Sequence, residues 1–363
     1  MNPQLLNYIN QSLSQGQQRE TIYANLINKG WRKEELDRIF STLSNKTINE
    51  SPQTTDTSFK APYYLIGKVL GLFWVIDAIL QLQPKMFTAD FISNVIAPNM
   101  QNQFSFLISL VGLGIKYFSL NFAVSNSIAV TIQFLIGFLL LFSSNQEYRY
   151  KFALLLSVFW GLFIWLFGEG LGNLFTGAAS FYTGAPGSVL IYVIIAFILL
   201  VPEFFRSLNL SRFCGVIFIF LAGFQFQPMY WNQAGLADLF KISSSDSVRL
   251  IAVPAKFALN LISANPLVGN IILILPLLAI GLWLFFRPSR GAAWLALAFL
   301  FVVWWLCQDF GSLFTFWTGT STDPNSAPIF AVLLVPSLFS LTTLRKIYNL
   351  QFFPRRTDFV TPA

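Results

Sequence analysis

The sequence predicts an all-α integral membrane protein with eight transmembrane helices, arranged as two parallel four-helix repeats that follow a small soluble three-helix N-terminal domain. Three observations predict this fold class. Hydrophobic residues make up 55% of the 363 residues and charged residues only 11%, whereas a soluble domain carries about 25% charged residues. Eight apolar runs are long enough to cross a hydrocarbon core of about 30 Å. The apolar region also repeats itself at a constant spacing.

The first 45 residues predict a small three-helix domain. Leucine and isoleucine recur at helical spacing, and Gly16 and Gly30 divide the segment into three parts. The stretch QRETIYANLINKGWRKEELDRIF resembles domains of ubiquitin-associated type, in which a glycine-aromatic turn joins the second and third helices. That resemblance implies a docking module for a protein partner, and a solubilising cap is the alternative. Residues 46–60 are polar and lack periodicity, so they predict a flexible linker.

The eight apolar runs fall into two groups of four. They lie near 63–82, 126–143, 152–168, 187–203, 212–229, 269–286, 291–307 and 328–344. This division predicts a first membrane repeat at 61–205, a second at 206–346 and a tail at 347–363. Another apolar stretch, at 104–122, is interrupted by Lys116. We expect it to form a helix at the outer interface or inside the bundle, without crossing the membrane.

Basic residues predict the orientation. They fall in every second connection: Arg149 and Lys151, Arg206 and Arg212, Arg287 and Arg290, Arg345 and Lys346. The loops at 169–187 and 308–327 contain no lysine or arginine. The positive-inside rule then places the N-terminal domain and the C-terminus in the cytoplasm, and we expect a multi-pass protein of the plasma membrane of a bacterium or archaeon. The net charge of +7 is scattered between apolar runs, so nucleic acid is excluded as a partner and the lipid bilayer is expected.

The apolar region contains an internal repeat. Five residues of the first half match the second half at a spacing of 144: Lys68, Gly71, Gln81, Gln83 and Pro84 match Arg212, Gly215, Gln225, Gln227 and Pro228. Nine more match at a spacing of 139: Leu120, Asn121, Asn126, Lys151, Trp165, Gly172, Leu174, Phe175 and Thr176 match Leu259, Asn260, Asn265, Arg290, Trp304, Gly311, Leu313, Phe314 and Thr315. Since each unit has an even number of spans, both units enter the membrane in the same direction.

A unit made of one span, a long outer segment with a surface helix and three closely connected spans resembles the DoxX-like family of four-helix membrane proteins. That family includes small subunits of thiosulfate:quinone oxidoreductase. The resemblance covers residues 63–344 as two tandem copies and rests on topology and on the glycine-containing first span. It implies an accessory or structural subunit of a membrane complex, with a quinone or a lipid as candidate ligand. The duplication and the N-terminal domain depart from the single-unit pattern.

Acidic residues that occur in just one half are the main candidates for function. Asp77 lies inside the first span, and its counterpart is Leu221. Glu169 follows the third span, and its counterpart is Gln308, which Asp309 follows. An ionised carboxylate near the bilayer centre costs at least about 2.5 kcal/mol, so such a group usually has a partner or a water-filled cavity. We expect Asp77 and Glu169 to face one pocket that opens to the outside. A structural hydrogen bond for Asp77 and solvation at the interface for Glu169 are the alternatives.

Four uncharged polar residues complete the candidate ligand-binding set. Gln81 and Gln83 lie at the outer end of the first span, where their amides could instead bond backbone groups freed before the proline. Asn173 and Thr176 belong to the pattern GxLFT, which follows the third span of each half. Because glycine permits close backbone approach and irregular backbone at membrane depth must line protein or water, we expect these loops to fold back into the outer mouth of the bundle.

Composition restricts the chemistry. Histidine is absent from the sequence, so neither haem nor zinc is expected and no metal site is predicted, while the identity of any cofactor stays open. No nucleophile or metal cluster accompanies the carboxylates, which favours a protein that is not an enzyme by itself. An enzyme that acts on a lipid-soluble substrate, with Asp77 or Glu169 as general base, is the remaining alternative. The expected function is an accessory or structural subunit of a membrane complex that binds a quinone or small lipophilic ligand. The alternative is a transporter of a small cationic or protonatable solute, with Asp77 as the proton or cation site.

Overall fold

The structure is a computed structural model that describes two parts of the chain. The described residues are 19–338, apart from 35, 38, 41–56, 145–146, 202–209 and 315, together with residues 5, 8, 9 and 12. The predicted tail at 347–363 and most of the predicted linker, 46–56, lie outside them. The chain divides into two compact units, Met1–Thr57 and Ser58–Ala363.

The first unit has a small apolar core. Its helix α1 spans Arg19–Asn28 and is followed by a turn in which Gly30 has a φ of +88°. The buried side chains of the core are Leu5, Ile9, Ile22, Leu26, Leu36 and Ile39. Tyr23 and Asp37 join the two sides of the turn, since the tyrosine hydroxyl donates to the carboxylate at 2.7 Å. Six of the apolar residues that repeat at helical spacing in the sequence are therefore buried here, whereas Ile27 is exposed.

The regular elements of the second unit are all helical in the part of the chain that the structure describes. Its helices of ten or more residues are α2 (Thr57–Leu80), α3 (Ser105–Phe118), α4 (Phe122–Phe142), α5 (Tyr148–Phe167), α6 (Ser188–Leu200), α7 (Leu210–Phe224), α8 (Arg249–Ser263), α9 (Pro266–Phe286) and α10 (Arg290–Leu306). The last predicted span is described as far as residue 338, where Ser326–Val332 and Val335–Leu338 are helical.

Several of these helices are suited to a membrane. Within the described residues, α4, α5 and α9 are long and apolar enough to cross a bilayer, and α3, α6, α7 and α10 are apolar but shorter. An all-α protein with this set of helices is compatible with a multi-pass membrane protein. The number of eight crossings stays a prediction.

Two helix ends differ from the sequence-based expectation. α2 begins at Thr57, inside the predicted linker, so its first turn consists of linker residues. α7 ends at Phe224, whereas the fifth apolar run extends to about residue 229. Pro228 explains the early end, since a proline disfavours helical backbone in the residue before it, and the chain continues as a 3-10 turn at Pro228–Trp231.

The predicted helix at 104–122 is present as α3. Its 14 residues reach about 21 Å, short of the roughly 30 Å of a hydrocarbon core. Leu107 and Val111 are buried on one face, and they pack in a cluster with Met86 and Phe91. The geometry agrees with a helix that lies against the bundle.

Pairs of glycines mark two helix crossings of the same kind. A Cβ atom on Gly71 of α2 would lie 3.0 Å from the carbonyl oxygen of Gly137 of α4, and one on Gly137 would lie 2.9 Å from that of Gly71. A Cβ atom on Gly215 of α7 would likewise lie 2.7 Å from the carbonyl oxygen of Gly281 of α9, and one on Gly281 would lie 2.9 Å from that of Gly215. Side chains larger than hydrogen would separate these helices. Both crossings therefore depend on a glycine pair, and the pairs are 144 residues apart.

Asparagines show that α4 and α9 also match at a spacing of 144, which corrects part of the predicted alignment. Asn126 donates to the carbonyl oxygen of Gln81 at 2.9 Å, and Asn270 donates to that of Gln225 at 2.8 Å. Asn121 and Asn265 cap the N-termini of these two helices. The expected match of Asn121 with Asn260 and of Asn126 with Asn265 is therefore wrong, because the shortening of the second half occurs after α9.

The two halves exchange contacts at the ends of α2 and α7. Gln83 donates to the carbonyl oxygen of Ser321 at 2.6 Å, in the loop of the second half. Gln227 donates to the carbonyl oxygen of Ala179 at 2.9 Å, in the loop of the first half. Gln225 also donates to the Ser180 hydroxyl. These amides hold each loop against the other half.

Lys68 of α2 is held at the C-terminus of α4. Its ammonium group donates to the carbonyl oxygens of Leu140, Leu141 and Ser143 at 2.8, 2.6 and 2.7 Å. A cation at this position satisfies carbonyls that have no partner within the helix and complements the helix dipole. The contact fixes the middle of α2 to the end of α4 that is remote from the loops at 168–188 and 307–326. We call the end of the bundle that carries those two loops the loop end.

Candidate functional site

Irregular backbone follows α5 and α10 at the loop end. Four consecutive residues, 170–173, have φ between +52° and +60°, and residues 309–312 have φ between +50° and +66°. This left-handed backbone is strained for residues other than glycine. A Cβ atom on Gly172 would lie 1.9 Å from the carbonyl oxygen of Pro186, so the chain folds back closely against the segment before α6. Trp165 and Trp304 fix the two loops by donating to the carbonyl oxygens of Pro186 and Pro324, at 2.8 and 2.7 Å.

Glu169 lies between α5 and the N-terminus of α6. Its Oε1 accepts hydrogen bonds from the Ser188 hydroxyl at 2.7 Å and from the backbone N–H of Val189 at 3.2 Å. Its Oε2 is buried and has no hydrogen-bond partner among the described residues. Burial raises the pKa of Glu169 to about 8, and the Asp323 carboxylate adds to the rise, while the two hydrogen bonds oppose it. The carboxyl group therefore takes up and releases a proton near neutral pH.

Gln308 has the corresponding position between α10 and Ser326–Val332. Its Nε2 donates to the Ser326 hydroxyl at 3.1 Å and to the carbonyl oxygen of Phe181 at 2.8 Å. Its Oε1 accepts from the backbone N–H of Ala327 at 3.0 Å. An uncharged amide thus satisfies every contact here. The structural role of this position needs no carboxylate, so the acid in the first half is available for another role.

Asp77 lies one turn before the end of α2 and is 2% exposed. Its Oδ1 accepts a hydrogen bond from the Tyr192 hydroxyl at 3.2 Å. The Tyr192 ring packs against Trp74 with 4.9 Å between centroids, and the Trp74 indole donates to the Ser157 hydroxyl at 2.9 Å. The structural hydrogen bond weighed as an alternative for Asp77 is therefore present. This hydrogen bond occupies one carboxylate oxygen, and Asp77 also lies on the wall of a cavity.

An internal cavity of about 490 Å³ lies between α2, α3, α4 and α5. Most of its wall is apolar, and the polar residues on it are Asp77, Gln81, Asn99, Gln133, Glu169 and Asp323, with Ser125 and Thr322 at its edges. Three polar atoms of lining residues have no hydrogen-bond partner within the described part of the chain: Gln133 Oε1, Trp160 Nε1 and Glu169 Oε2. A buried polar atom without a partner costs about 1–3 kcal/mol. These three atoms have almost no accessible surface, so the packing around them leaves them without a partner.

A second cavity of about 390 Å³ adjoins the first at the loop end. Its wall includes Asn173, Thr176 and the segment 178–180. Asn99, Glu169 and Asp323 line both cavities. The two carboxylates therefore stand at the boundary between a polar mouth and an apolar interior.

Asp323 is a site residue that the sequence analysis missed. It belongs to the loop of the second half, where Asn325 N–H donates to its Oδ1 at 2.7 Å and the Thr322 hydroxyl donates to its Oδ2 at 2.8 Å. Gln133 and Trp160 were missed as well. An acidic residue in a loop without basic residues, and a single amide in the middle of an apolar helix, were the signals that could have found Asp323 and Gln133.

The predicted site residues separate into two groups. Asp77, Gln81 and Glu169 line the larger cavity, and Glu169, Asn173 and Thr176 line the smaller one. Gln83 is not among the lining residues of these two cavities, because its amide donates to the carbonyl oxygens of Leu80 and Ser321. Its structural use, weighed above as the alternative, is the one that the contacts show.

Asp309 is also placed elsewhere than expected. Its carboxylate accepts from the Ser312 hydroxyl at 2.8 Å, and its backbone N–H donates to the Ser243 hydroxyl at 3.0 Å. Burial raises its pKa to about 6, and Asp246 adds to the rise. The one-residue offset from Gln308 turns the side chain toward the segment 241–246 and away from the cavities. Asp309 therefore joins two loops of the second half.

Metal binding finds no support in the described residues, where no three histidine, cysteine, aspartate or glutamate side chains lie close enough together to hold an ion. Both cysteines, Cys214 and Cys307, are buried free thiols. Comparison of the chain with protein-family models, with curated proteins and with solved structures finds no match. The DoxX-like and ubiquitin-associated resemblances stay predictions.

Proposed function

We propose that this protein is a multi-pass membrane protein that binds a quinone, a lipid or another small lipophilic molecule in the larger cavity, as an accessory or structural subunit of a membrane complex. The observation that carries the proposal is the cavity itself, which measures about 490 Å³ and has mostly apolar walls with a few polar side chains. Ligand sites of small molecules have this volume and this mixture of apolar wall and few polar groups.

The exposure of several lining residues of the larger cavity supports a lipophilic ligand. Leu113 and Tyr117 of α3, Ile128 of α4 and Phe163 of α5 line the cavity and are also 49–62% exposed. In a bilayer these side chains face acyl chains, so a molecule dissolved in the membrane has a lateral route between α3 and its neighbours. The polar mouth gives the head group of such a molecule access to water.

The paired contacts support the repeat layout of this proposal. Two glycine crossings, two asparagine bonds and two tryptophan bonds recur in the two halves with matching partners. Each half is then a four-span unit of DoxX-like type, oriented with both termini in the cytoplasm and the loop end outside. In the second unit Leu221 and Gln308 replace Asp77 and Glu169, so the ligand site is in the first unit. The N-terminal domain supplies the contact with a protein partner.

Transport through the bundle needs a path beyond Asp77, and the packing there is close. The residues that line the two cavities lie from Asp77 and Gln133 to the loop end. On the other side of Asp77, Trp74 is fully buried and bonded to Ser157, and Gly71 contacts the backbone of Gly137. A pocket closed at one end favours binding over passage.

Co-purification tests the proposed function. The protein is extracted in a gentle detergent, and native mass spectrometry identifies the small molecules and proteins that remain bound. Ala129 lines the larger cavity and is 9% exposed, so Ala129→Phe fills it. We expect the wild type to retain a lipophilic molecule of a few hundred daltons, and Ala129→Phe to lose it.

Ala123→Phe is the matched control, because Ala123 is on the exposed face of the same helix. This variant is expected to retain the molecule. A wild type that carries no small molecule, or equal retention by Ala129→Phe, would contradict the proposal.

A further inference from the structure

Residues 84–118 pack as a unit apart from the main apolar core. The buried apolar side chains of this unit are Met86, Phe91, Ile96, Leu107 and Val111. The main core joins residues of α2 and of α4 to α10, and no described residue of 84–118 is part of it. The larger cavity lies between this segment and the bundle. The segment therefore packs mainly against itself.

The corresponding segment of the second half packs differently. Its residues Leu236, Phe240 and Ile262 are buried in the main core. The Trp305 indole of α10 also donates to the carbonyl oxygen of Leu250 in α8 at 3.0 Å. The second half therefore holds its segment against the bundle, whereas a cavity lies under the segment of the first half.

Hydrogen bonds fix the segment of the first half at the two ends of α3. Before α3, Gln103 Nε2 donates to the carbonyl oxygen of Gly170 at 2.8 Å. At the C-terminus of α3, the Ser125 hydroxyl of α4 donates to the carbonyl oxygen of Phe118 at 3.0 Å. Between these bonds, residues 105–117 form no hydrogen bond to a neighbouring helix in the part of the chain that the structure describes. The middle of α3 is therefore held by van der Waals contacts.

One of these contacts lies at the edge of the larger cavity. A Cβ atom on Gly114 of α3 would lie 2.7 Å from the Phe167 ring of α5, so the ring lies directly on the glycine. Phe167 also packs against Phe163, with 4.7 Å between the ring centroids. Leu113 and Phe163 line the cavity and are each 49% exposed. Movement of the Phe167 ring breaks the contact between α3 and α5 without the loss of a hydrogen bond.

The polar mouth is a poor entrance for an alkyl chain. Asn99, Glu169 and Asp323 line both cavities, so a molecule that enters from water passes two carboxyl groups. An apolar chain there would displace water from these groups without replacing its hydrogen bonds, which is unfavourable. A molecule that enters between α3 and α5 passes apolar side chains, and its own chain replaces the contacts that the helices lose. Entry from the membrane is therefore favoured.

We infer that residues 84–118 form a lateral gate of the larger cavity. The middle of α3 moves away from α5 at the contact between Gly114 and Phe167, and a lipophilic molecule enters from the membrane through the gap. The hydrogen bonds at both ends of α3 keep the segment attached during this movement. This inference rests on the proposed function, since it supplies the route by which the ligand reaches the same cavity.

The accessibility of a cysteine in the cavity tests the inference. Ala129→Cys places a thiol on the cavity wall, and the native thiols of Cys214 and Cys307 are buried, so the wild type serves as the blank. The full-length protein in nanodiscs of phosphatidylcholine is labelled with pyrene maleimide, which dissolves in the bilayer. Labelling with a small cationic thiosulfonate, which dissolves in water, reports entry through the polar mouth.

Two variants in the Ala129→Cys background should open the gate. Phe167→Ala removes the ring that lies on Gly114, and Gly114→Ala adds a methyl group that pushes the ring aside. We expect each to raise the rate of labelling by pyrene maleimide about tenfold, because this rate follows the population of the open form. The rate of labelling by the thiosulfonate should stay unchanged.

Gly112→Ala is the matched control, because a Cβ atom on Gly112 of the same helix has no neighbour within 4 Å. This variant should be labelled at the rate of the Ala129→Cys background. Size-exclusion chromatography of each variant verifies that folded proteins are compared.

Slower labelling of Gly114→Ala would overturn the inference, because an added methyl group narrows a fixed slot but opens a gate. Equal rates of pyrene maleimide labelling in the background, Gly114→Ala and Phe167→Ala would overturn it as well, since the molecule would then enter elsewhere. Either result leaves the proposed function standing. If pyrene maleimide labels Ala129→Cys in none of the variants, the cavity admits no lipophilic molecule and the proposed function itself fails.

Discussion

Replacement of Gly172 by alanine is expected to destabilise the loop end by more than about 4 kcal/mol, so that little folded protein is obtained. Gly172 has a φ of +60°, and an added Cβ atom would lie 1.9 Å from the carbonyl oxygen of Pro186 and 2.2 Å from its carbon. Both of these atoms belong to the backbone, so no side-chain rotation relieves the clash. Gly311 is in the same situation, with backbone atoms of Pro324 at 2.6 Å. Gly311→Ala should have a similar effect.

Gly177→Ala separates the effect of backbone strain from that of a steric clash. Gly177 has a φ of +75°, but a Cβ atom there has no neighbour within 4 Å among the described atoms. This variant should lose about 1 kcal/mol through backbone strain alone. The yield of monodisperse protein in detergent and its thermal unfolding provide the measurement. Equal stability of Gly172→Ala and Gly177→Ala would contradict the folded-back loop.

The free energy of unfolding is expected to fall as the pH rises from about 4.5 to about 8, because Glu169 has its pKa raised from 4.5 to about 8 by burial. Over this range the folded state holds the proton and the unfolded state has lost it. Stability therefore decreases with pH and becomes constant above about 8. The full shift corresponds to several kcal/mol, and the partial exposure of Glu169 to the cavities reduces the expected loss to about 2–4 kcal/mol.

Glu169→Gln should remove the part of this pH dependence that Glu169 contributes. The amide fits, as Gln308 shows in the other half with bonds to Ser326 and Ala327. At pH 5 the variant and the wild type should unfold alike, and at pH 8.5 the variant should be the more stable of the two. Denaturation in detergent at the two pH values gives the comparison. Asp309 contributes a smaller loss between about 3.8 and 6, and that loss remains in the variant. A wild type that gains stability up to pH 8 would refute the placement of Glu169.

Local patterns in the sequence were enough to predict an all-α chain and to single out two carboxylates as candidates. Asp77 and Glu169 stand out because Leu221 and Gln308 replace them in the other half, a contrast that needs no tertiary information. The fold-back loops follow from glycines placed directly after apolar spans. These features depend on neighbours in the chain, which sequence patterns record.

Contacts between distant segments could not be predicted in the same way. Asp323 reaches the cavity of the first half because the loops of the two halves meet at the loop end, which periodicity does not reveal. The offset of Asn126 was misjudged because the shortened segment was placed before α9 instead of after it. Asp309 was taken for a site residue since it adjoins Gln308, yet one residue of left-handed backbone directs it to Ser243 and Ser312.

The cavity itself depends on the position of α3. Nothing in the stretch 104–122 specifies how far the helix stands from α4 and α5, and the corresponding helix of the second half, α8, differs in sequence and contains Pro254. Gly114 of α3 comes close to Phe167, where an added Cβ atom would lie 2.7 Å from the ring. Such a contact sets the spacing of two helices and is visible only in three dimensions.

The most direct measurement is a cryo-electron microscopy map of the full-length protein, purified with its own lipids in nanodiscs. The account predicts elongated density between α2, α3, α4 and α5, with its polar end beside Asp77, Gln133 and Glu169. A map in which the cavity between these helices is closed, or in which it contains no density, would contradict it.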